Sequence, residues 1–107
     1  MEFQFNPTQK AVKKSVQRFV DEVLEPIAPT FDKKDGSLCD HPDILKIMGD
    51  MGLFGIQIDE NYGGSGLDSI SYCLAIEEIS KGCAGTGLMT TVHNSVVAAP
   101  IEKFGTE

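Results

Sequence analysis

Four stretches of the chain place apolar residues three and four positions apart, the spacing that puts side chains on one face of a helix. In the first stretch, Asn6 is a favoured N-cap and Pro7 occupies the favoured first helical position. The apolar face consists of Val12, Val16, Phe19, Val20, Val23, Leu24 and Ile27. Because this stripe is wide, it predicts a helix lying against a core, with Pro26 and Pro29 kinking or ending it.

A second helix is predicted after an exposed turn at 33–37. Asp40 would cap it, His41 would lie at the surface in its first turn, and Gly52 would end it in the left-handed conformation. Its inward residues would be Ile44, Leu45, Ile47, Met48 and Met51. Residues 54–59 are then predicted to form a short extended connector.

The third helix is predicted to start after a cap at Asp68 and to run to Gly82, where Gly82, Gly85 and Gly87 interrupt it. Its inward residues would be Ile70, Cys73, Leu74, Ile76 and Ile79. Adjacent helical residues point in different directions, so Glu77 and Glu78 cannot share a proton. We expect Glu78 to be exposed and Glu77 to pair with a neighbouring helix.

The fourth helix, from about Leu88 to Lys103, is almost free of charge, which predicts burial on most of its circumference. Three other helices cannot supply that much cover, so part of it is expected from outside this chain. His93 would be either a hydrogen-bonded core histidine, which we favour, or a residue lining a cavity. Gly105 closes the helix, and residues 106–107 begin a capping signature for another helix, so we expect residues 1–107 to be a truncated part of a longer protein. The pattern predicts an all-α fold, a small up-and-down bundle of about four helices forming one domain over residues 1–107.

Composition and charge narrow the class of protein. With 41% hydrophobic and 23% charged residues, the chain is typical of a soluble globular domain. Sixteen acidic and nine basic residues give a net charge of -7, which disfavours nucleic acid and anionic membrane surfaces as partners. No targeting segment is visible at the amino terminus, and no apolar run approaches the length of a membrane span. The three widely spaced cysteines indicate free thiols in a reducing compartment.

The sequence contains one weak candidate for a binding motif. The glycine-rich loop NYGGSG (61–66) could cradle a phosphate, but it lacks the lysine and spacing of a P-loop, so a structural turn is favoured. The sequence shows no Ser/His/Asp or Cys/His constellation and no spacing typical of metal ligands.

An ordered series of short motifs adds to this interpretation. The segments DENYGGSGLDSISYCLAIEEISKGCAGTG (59–87) and HNSVVAAPIEKFGTE (93–107) resemble the amino-terminal domain of acyl-CoA dehydrogenases, and MGLFGIQIDE (51–60) also fits. Each motif is weak alone, but their order and separations cover essentially the whole chain. The segment EEISKGCAGTG (77–87) is most similar to the short-chain, butyryl-type members of the family.

The resemblance implies a homotetrameric FAD enzyme in which this helical domain precedes a β-barrel domain and a second helical domain. These two further domains would bind most of the FAD. The enzyme would oxidise acyl-CoA to trans-2-enoyl-CoA, with an electron-transferring flavoprotein as acceptor, in the bacterial cytoplasm or the mitochondrial matrix. The catalytic glutamate of most members belongs to the carboxy-terminal portion, so no catalytic residue is expected in this chain. The chain alone is therefore expected to be inactive and to bind no FAD tightly.

The resemblance also implies that the fourth helix supplies one wall of the acyl pocket. The candidate residues for this wall are Leu88, Met89, Val92 and Val96, with Thr90 and His93 beside them. Two other functions stay open at this point. One is a related flavoenzyme of the same architecture, such as an acyl-CoA oxidase, and the other is a stand-alone helical interaction module without enzymatic activity.

Overall fold

A computed structural model describes residues 3–31, 36 and 41–106, and within these ranges the regular elements are helices, without a strand. The elements are α1 (Pro7–Phe19), a π-helical turn (Val20–Leu24), α2 (Glu25–Phe31), α3 (Pro42–Asp50), a 3₁₀ turn (Glu60–Tyr62), α4 (Ser69–Gly82), α5 (Ala84–Val92), a second π-helical segment (His93–Ala98) and α6 (Ala99–Phe104). Because each π-helical segment joins its neighbours without a break, the described residues form four helical rods, at 7–31, 42–50, 69–82 and 84–104. The predicted all-α fold of about four helices is confirmed.

Two helix caps are joined by one side chain. Asn6 Oδ1 accepts from the Gln9 N–H at 2.8 Å, and Gln9 Oε1 accepts from the Asn6 N–H at 2.9 Å, which completes a capping box. Gln9 Nε2 also donates to Asp68 Oδ2 at 2.9 Å, while Asp68 Oδ1 accepts from the Ser71 N–H and caps α4. These bonds, first from Ser71 and then from Gln9, favour the carboxylate and lower the pKa of Asp68. Of the three predicted N-caps, Asn6 and Asp68 are confirmed, and Asp40 lies outside the described residues.

The first rod continues through both of its prolines. The Glu25 N–H donates to the Val20 carbonyl five residues back, so the π-helical turn lies directly before Pro26. Pro29 lies inside α2, which ends only at Phe31. Of the two predicted effects, a kink or an end to the helix, the end is absent at both prolines.

The core lies on both sides of α4, which packs against α1 and against α5. Its buried apolar residues are Val16, Phe19, Val20, Leu24, Ile44, Met48, Leu53, Ile56, Leu74, Ala75 and Ile79. Glycines permit two close approaches around this helix. A Cβ at Gly82 would collide with the Val20 side chain, and one at Gly87 would collide with Ser80.

The inward face predicted for α4 was partly wrong. Leu74 and Ile79 are buried, but Ile70 and Cys73 are exposed. Small residues, Ser71 and Ala75, face the core instead. The helix is rotated so that these small side chains meet its neighbours, which lets the helices approach closely.

The second helix, α3, and the segment after it differ in part from the prediction. Asp40, residues 33–35 and residue 37 lie outside the described residues, and α3 begins after His41. His41 is half-buried, with its ring edge-on to Phe31 at a centroid distance of 5.5 Å, so the expected surface position was wrong. Gly52 has φ 78°, as predicted for the end of this helix, but residues 54–58 form turns and bends instead of an extended connector.

The junction between the third and fourth rods is a single residue. Cys83 is extended, with φ -159° and ψ 110°, and α5 begins at Ala84, four residues earlier than predicted. Gly85 and Gly87 lie inside α5 and do not interrupt it. Cys73 and Cys83 are free thiols, as expected, and Cys39 lies outside the described residues.

A buried carboxylate links the first and third rods. Glu78 was predicted to be exposed, yet only 3% of its side chain is accessible. Lys81 Nζ donates to Glu78 Oε1 at 3.1 Å, and Lys13 Nζ of α1 lies 4.0 Å from the same oxygen. Glu77 is exposed and contacts Lys81 of its own helix at 3.7 Å, and not a neighbouring helix as predicted. The hydrogen bond and charge of Glu78 raise the pKa of Lys81 above 10.5.

We expect Lys81→Met to lower the melting temperature, because it leaves the Glu78 carboxylate buried beside Lys13 alone. Since the folded pKa of Lys81 is raised, the contribution of its charge is complete below about pH 10.5 and is lost as the pH rises through the folded value. The difference in melting temperature between the wild type and Lys81→Met should therefore shrink above that pH. Glu77→Gln is the control, because it removes only the exposed contact. Equal melting temperatures for the two variants would contradict the role given to Glu78.

Candidate functional site

Three large apolar side chains of the fourth rod form an exposed row. Leu88 is 65% exposed, Val92 41% and Val96 65%, and they lie four residues apart in the sequence. Side chains with this spacing lie on the same side of a helix. Large contiguous patches of exposed apolar surface are typical of interaction and ligand-binding sites, which makes this row the candidate site. Within this chain the fourth rod is therefore not buried on most of its circumference, and the cover predicted from outside stays a prediction.

Met89 and Thr90 lie on the inner side of the same helix. Met89 is partly buried and packs against the core. Thr90 is fully buried, and its Oγ1 donates to the Thr86 carbonyl at 2.8 Å. Of the four wall candidates, the structure brings Leu88, Val92 and Val96 together at the surface and places Met89 between that row and the core.

His93 lines a groove of about 350 Å³ beside α6. The groove is lined by Ile58, Tyr62, His93, Val97, Ala98, Ile101, Glu102, Gly105 and Thr106. The imidazole is half-buried and edge-on to Phe54, with a centroid distance of 5.1 Å and an interplanar angle of 68°. The cavity-lining alternative for this histidine is the one that the structure favours. Glu102, which also lines the groove, accepts from the Asp59 N–H at 2.6 Å.

Asn94 is the polar residue of this region that sequence reasoning missed. It is buried, and its side chain makes three hydrogen bonds: to the Leu53 carbonyl, to the Thr90 carbonyl and from the Ile56 N–H. The available signal was a primary amide in a largely apolar helix. A buried amide of this kind nearly always has hydrogen-bond partners, so it indicates a bond to another part of the chain.

The glycine-rich loop is a structural turn and offers no phosphate cradle. Backbone N–H groups from Asn61 to Leu67 all donate to oxygens of this chain, at distances from 2.8 to 3.1 Å. Gly63 and Gly66 adopt positive φ, which closes the turn against residues 55–60. Because these donors are already used, the loop does not fit the phosphate groups of a nucleotide or of FAD.

The described ranges, 3–31, 36 and 41–106, contain neither a cluster of metal-ligating side chains nor a membrane-spanning helix. Histidine, cysteine and carboxylate side chains do not cluster there in groups of three that could hold a metal ion. None of the helices in those ranges is both long enough and apolar enough to cross a bilayer. What the site presents is an apolar helix face with one imidazole at its side.

Known proteins share the sequence pattern and the fold of this chain. The family model "Acyl-CoA dehydrogenase, N-terminal domain" matches residues 6–107. The short-chain specific acyl-CoA dehydrogenase of Bos taurus mitochondria is 38% identical over 100 residues, which are 94% of this chain and 24% of that protein. This chain thus spans about a quarter of the length of that relative.

Solved structures agree with the sequence comparison. Butyryl-CoA dehydrogenase from Megasphaera elsdenii superposes with a TM-score of 0.79 at 29% identity, over 99% of this chain and 28% of that chain. A chain from a structure described as the electron transferring flavoprotein of Acidaminococcus fermentans superposes with a TM-score of 0.85 at 36% identity, over 99% of this chain and 27% of that one. The chain belongs to the acyl-CoA dehydrogenase family, whose amino-terminal domain it matches from residue 6 to residue 107.

Proposed function

We propose that the full-length protein is an FAD-dependent acyl-CoA dehydrogenase acting on short-chain acyl-CoA, and that this domain supplies one wall of the acyl pocket. The observation that carries the proposal is the exposed, uncharged row of Leu88, Val92 and Val96 on a family member's fourth rod. An acyl chain is apolar, and a charged group beside it would cost several kcal/mol of desolvation. Two relatives are a short-chain specific acyl-CoA dehydrogenase and a butyryl-CoA dehydrogenase, which supports a short acyl chain as substrate.

Within this proposal, the domain contributes contact surface and the exclusion of water, and no reacting group. The glycine-rich loop has no free N–H donors for FAD, so the cofactor would be bound by other parts of the protein. We propose a homotetramer with an electron-transferring flavoprotein as electron acceptor, and a site of action in the bacterial cytoplasm or mitochondrial matrix. This chain superposes on a chain from a structure described as an electron transferring flavoprotein, and that likeness supports the proposal that such a flavoprotein accepts the electrons.

The direct test is an assay of the purified full-length protein with a series of acyl-CoA substrates and an artificial electron acceptor. We expect oxidation of butyryl-CoA to the trans-2-enoyl product by a yellow protein. The separate 107-residue chain should be colourless after gel filtration and inactive. A full-length protein that binds no flavin and oxidises no acyl-CoA would overturn the proposal.

Trimming the wall should shift the preferred chain length. We expect Met89→Ala, Val92→Ala and Val96→Ala to raise the ratio of octanoyl-CoA to butyryl-CoA turnover in the full-length enzyme, because each enlarges the pocket. Each extra methylene accommodated is worth up to about 1 kcal/mol, or roughly fivefold in the ratio. Met89→Ala should also lower the melting temperature, since Met89 packs against the core.

Ile70→Ala is the matched control for this series, because Ile70 is apolar and 51% exposed but lies on α4. It should leave the ratio unchanged. If the three wall residues only pack against neighbouring helices, their variants will melt earlier at an unchanged ratio, and the wall assignment fails.

A further inference from the structure

A single buried amide ties the exposed row to the loop before the glycine-rich turn. Asn94 Nδ2 donates to the Leu53 carbonyl at 2.8 Å, and Asn94 Oδ1 accepts from the Ile56 N–H at 3.0 Å. These bonds join parts of the chain 41 and 38 residues apart in sequence. Leu53 and Ile56 are buried in a segment of turns and bends, where no helix ladder is available to satisfy their backbone groups.

The same residue sits in the π-helical segment that interrupts the fourth rod. The Ala99 N–H donates to the Asn94 carbonyl five residues back, so Asn94 supplies the acceptor of a π-type bond. Asn94 Nδ2 also donates to the Thr90 carbonyl at 2.9 Å, which fixes its side chain to the preceding turn. Such π-helical insertions are rare and are frequent at functional sites.

The π-helical segment controls how the apolar row is aligned. In an α-helix, residues four apart drift by about 40° around the axis, since each residue advances about 100°. A turn closed by i to i+5 bonds holds more residues and advances less at each one, which reduces the drift between Val92 and Val96. Relaxation to a regular α-helix would rotate Val96 and the residues after it relative to Leu88 and Val92.

We propose that Asn94 is a positioning residue for the acyl wall: it anchors the π-helical segment to residues 53–56 and thereby sets the register of Leu88, Val92 and Val96. It does not touch the acyl chain and acts through the row. This inference rests on the proposed function of that row. Beyond that function, we infer that the shape of the wall depends on the bonds between Asn94 and residues 53–56, and not on the helix alone.

The test compares Asn94→Ser with Ser95→Ala in the full-length protein. A serine at 94 can still donate to the Thr90 carbonyl, as Ser95 Oγ does to the Thr91 carbonyl at 2.7 Å, but it is too short to bond the loop. The variant therefore removes only the loop bonds and should fold. Ser95→Ala, next in sequence and exposed, leaves those bonds in place and serves as the control.

Two readouts are measured on both variants. Amide hydrogen exchange at Ile56 should accelerate at least about tenfold in Asn94→Ser, because its acceptor is lost. The KM for butyryl-CoA should rise at least about threefold with kcat within about twofold, because a misaligned wall weakens binding of substrate and transition state alike. Ser95→Ala should change neither quantity.

The outcomes separate the two proposals. Faster exchange at Ile56 with an unchanged KM would show a structural role alone and overturn the positioning role of Asn94. Unchanged exchange at Ile56 would overturn the anchoring itself. A wild-type protein that turns over no acyl-CoA would overturn the proposed function, and the role of Asn94 in it would fall as well.

Discussion

Val96→Asp is expected to lower kcat/KM of the full-length enzyme at least about a hundredfold while changing the melting temperature of the isolated 107-residue chain little. Val96 is 65% exposed in this chain, so a carboxylate there stays hydrated and should change the melting temperature of the isolated domain little. In the full-length enzyme the same carboxylate would be buried beside the acyl chain without a partner. That burial costs about 3 kcal/mol or more, which corresponds to at least about a hundredfold in kcat/KM.

The contrast between the two proteins is what makes the Val96 experiment informative. Binding of a hydrophobic dye to the isolated chain should also fall in Val96→Asp, because the apolar row is interrupted. Gln17→Asp, an exposed substitution on α1, controls for the added charge. Full activity in Val96→Asp would mean that the row stays in solvent in the intact protein, and the wall proposal would be wrong.

The second large effect is expected at Gly64. A Cβ on Gly64 would collide with the carbonyl group and Cβ of Ile58, and the backbone there cannot move aside without breaking its own bonds. The Gly66 N–H donates to the Ile58 carbonyl at 2.8 Å, and the Gly64 N–H donates to the Asp59 carbonyl at 3.1 Å. We expect Gly64→Ala to cost about 3 kcal/mol, or on the order of 15 °C in melting temperature for a chain of this size.

Gly85→Ala is the matched control for Gly64, because an added Cβ at Gly85 meets no atom within 4 Å and the residue lies inside α5. Alanine there should stabilise the chain by about 0.5–1 kcal/mol, since it restricts the unfolded backbone and favours the helix. Similar melting temperatures for the two variants would show that residues 58 and 64 are less closely packed than described above.

Local signals in the sequence were sufficient for the elements that depend on a few neighbouring residues. Asn6 with Pro7, and Asp68, start helices because an N-cap needs only its own side chain and the N–H groups two or three residues on. Gly52 ends α3 because glycine tolerates positive φ. The ordered motifs from residue 59 onward pointed to the family that the comparison of known proteins establishes.

Which face of each helix is buried could not be settled in the same way. Successive residues are about 100° apart around the axis, so an error of one position exchanges a buried side chain for an exposed one. Glu77 and Glu78 are chemically identical and adjacent, and Glu78 is the buried one because α4 turns it toward α1, where Lys13 lies. The same rotation exposes Ile70 and Cys73 and buries Ser71 and Ala75.

The candidate site was likewise predicted only in part from the sequence. By itself, the sequence determined that the fourth rod is apolar and almost free of charge, and hence that its surface suits an apolar ligand or partner. Only the tertiary structure decided that Leu88, Val92 and Val96 face outward and Met89 inward, because the packing of α5 on α4 sets the rotation of the helix. It also decided the role of Asn94, since bonds across 38 and 41 residues depend on where the chain returns and leave no periodic pattern in the sequence.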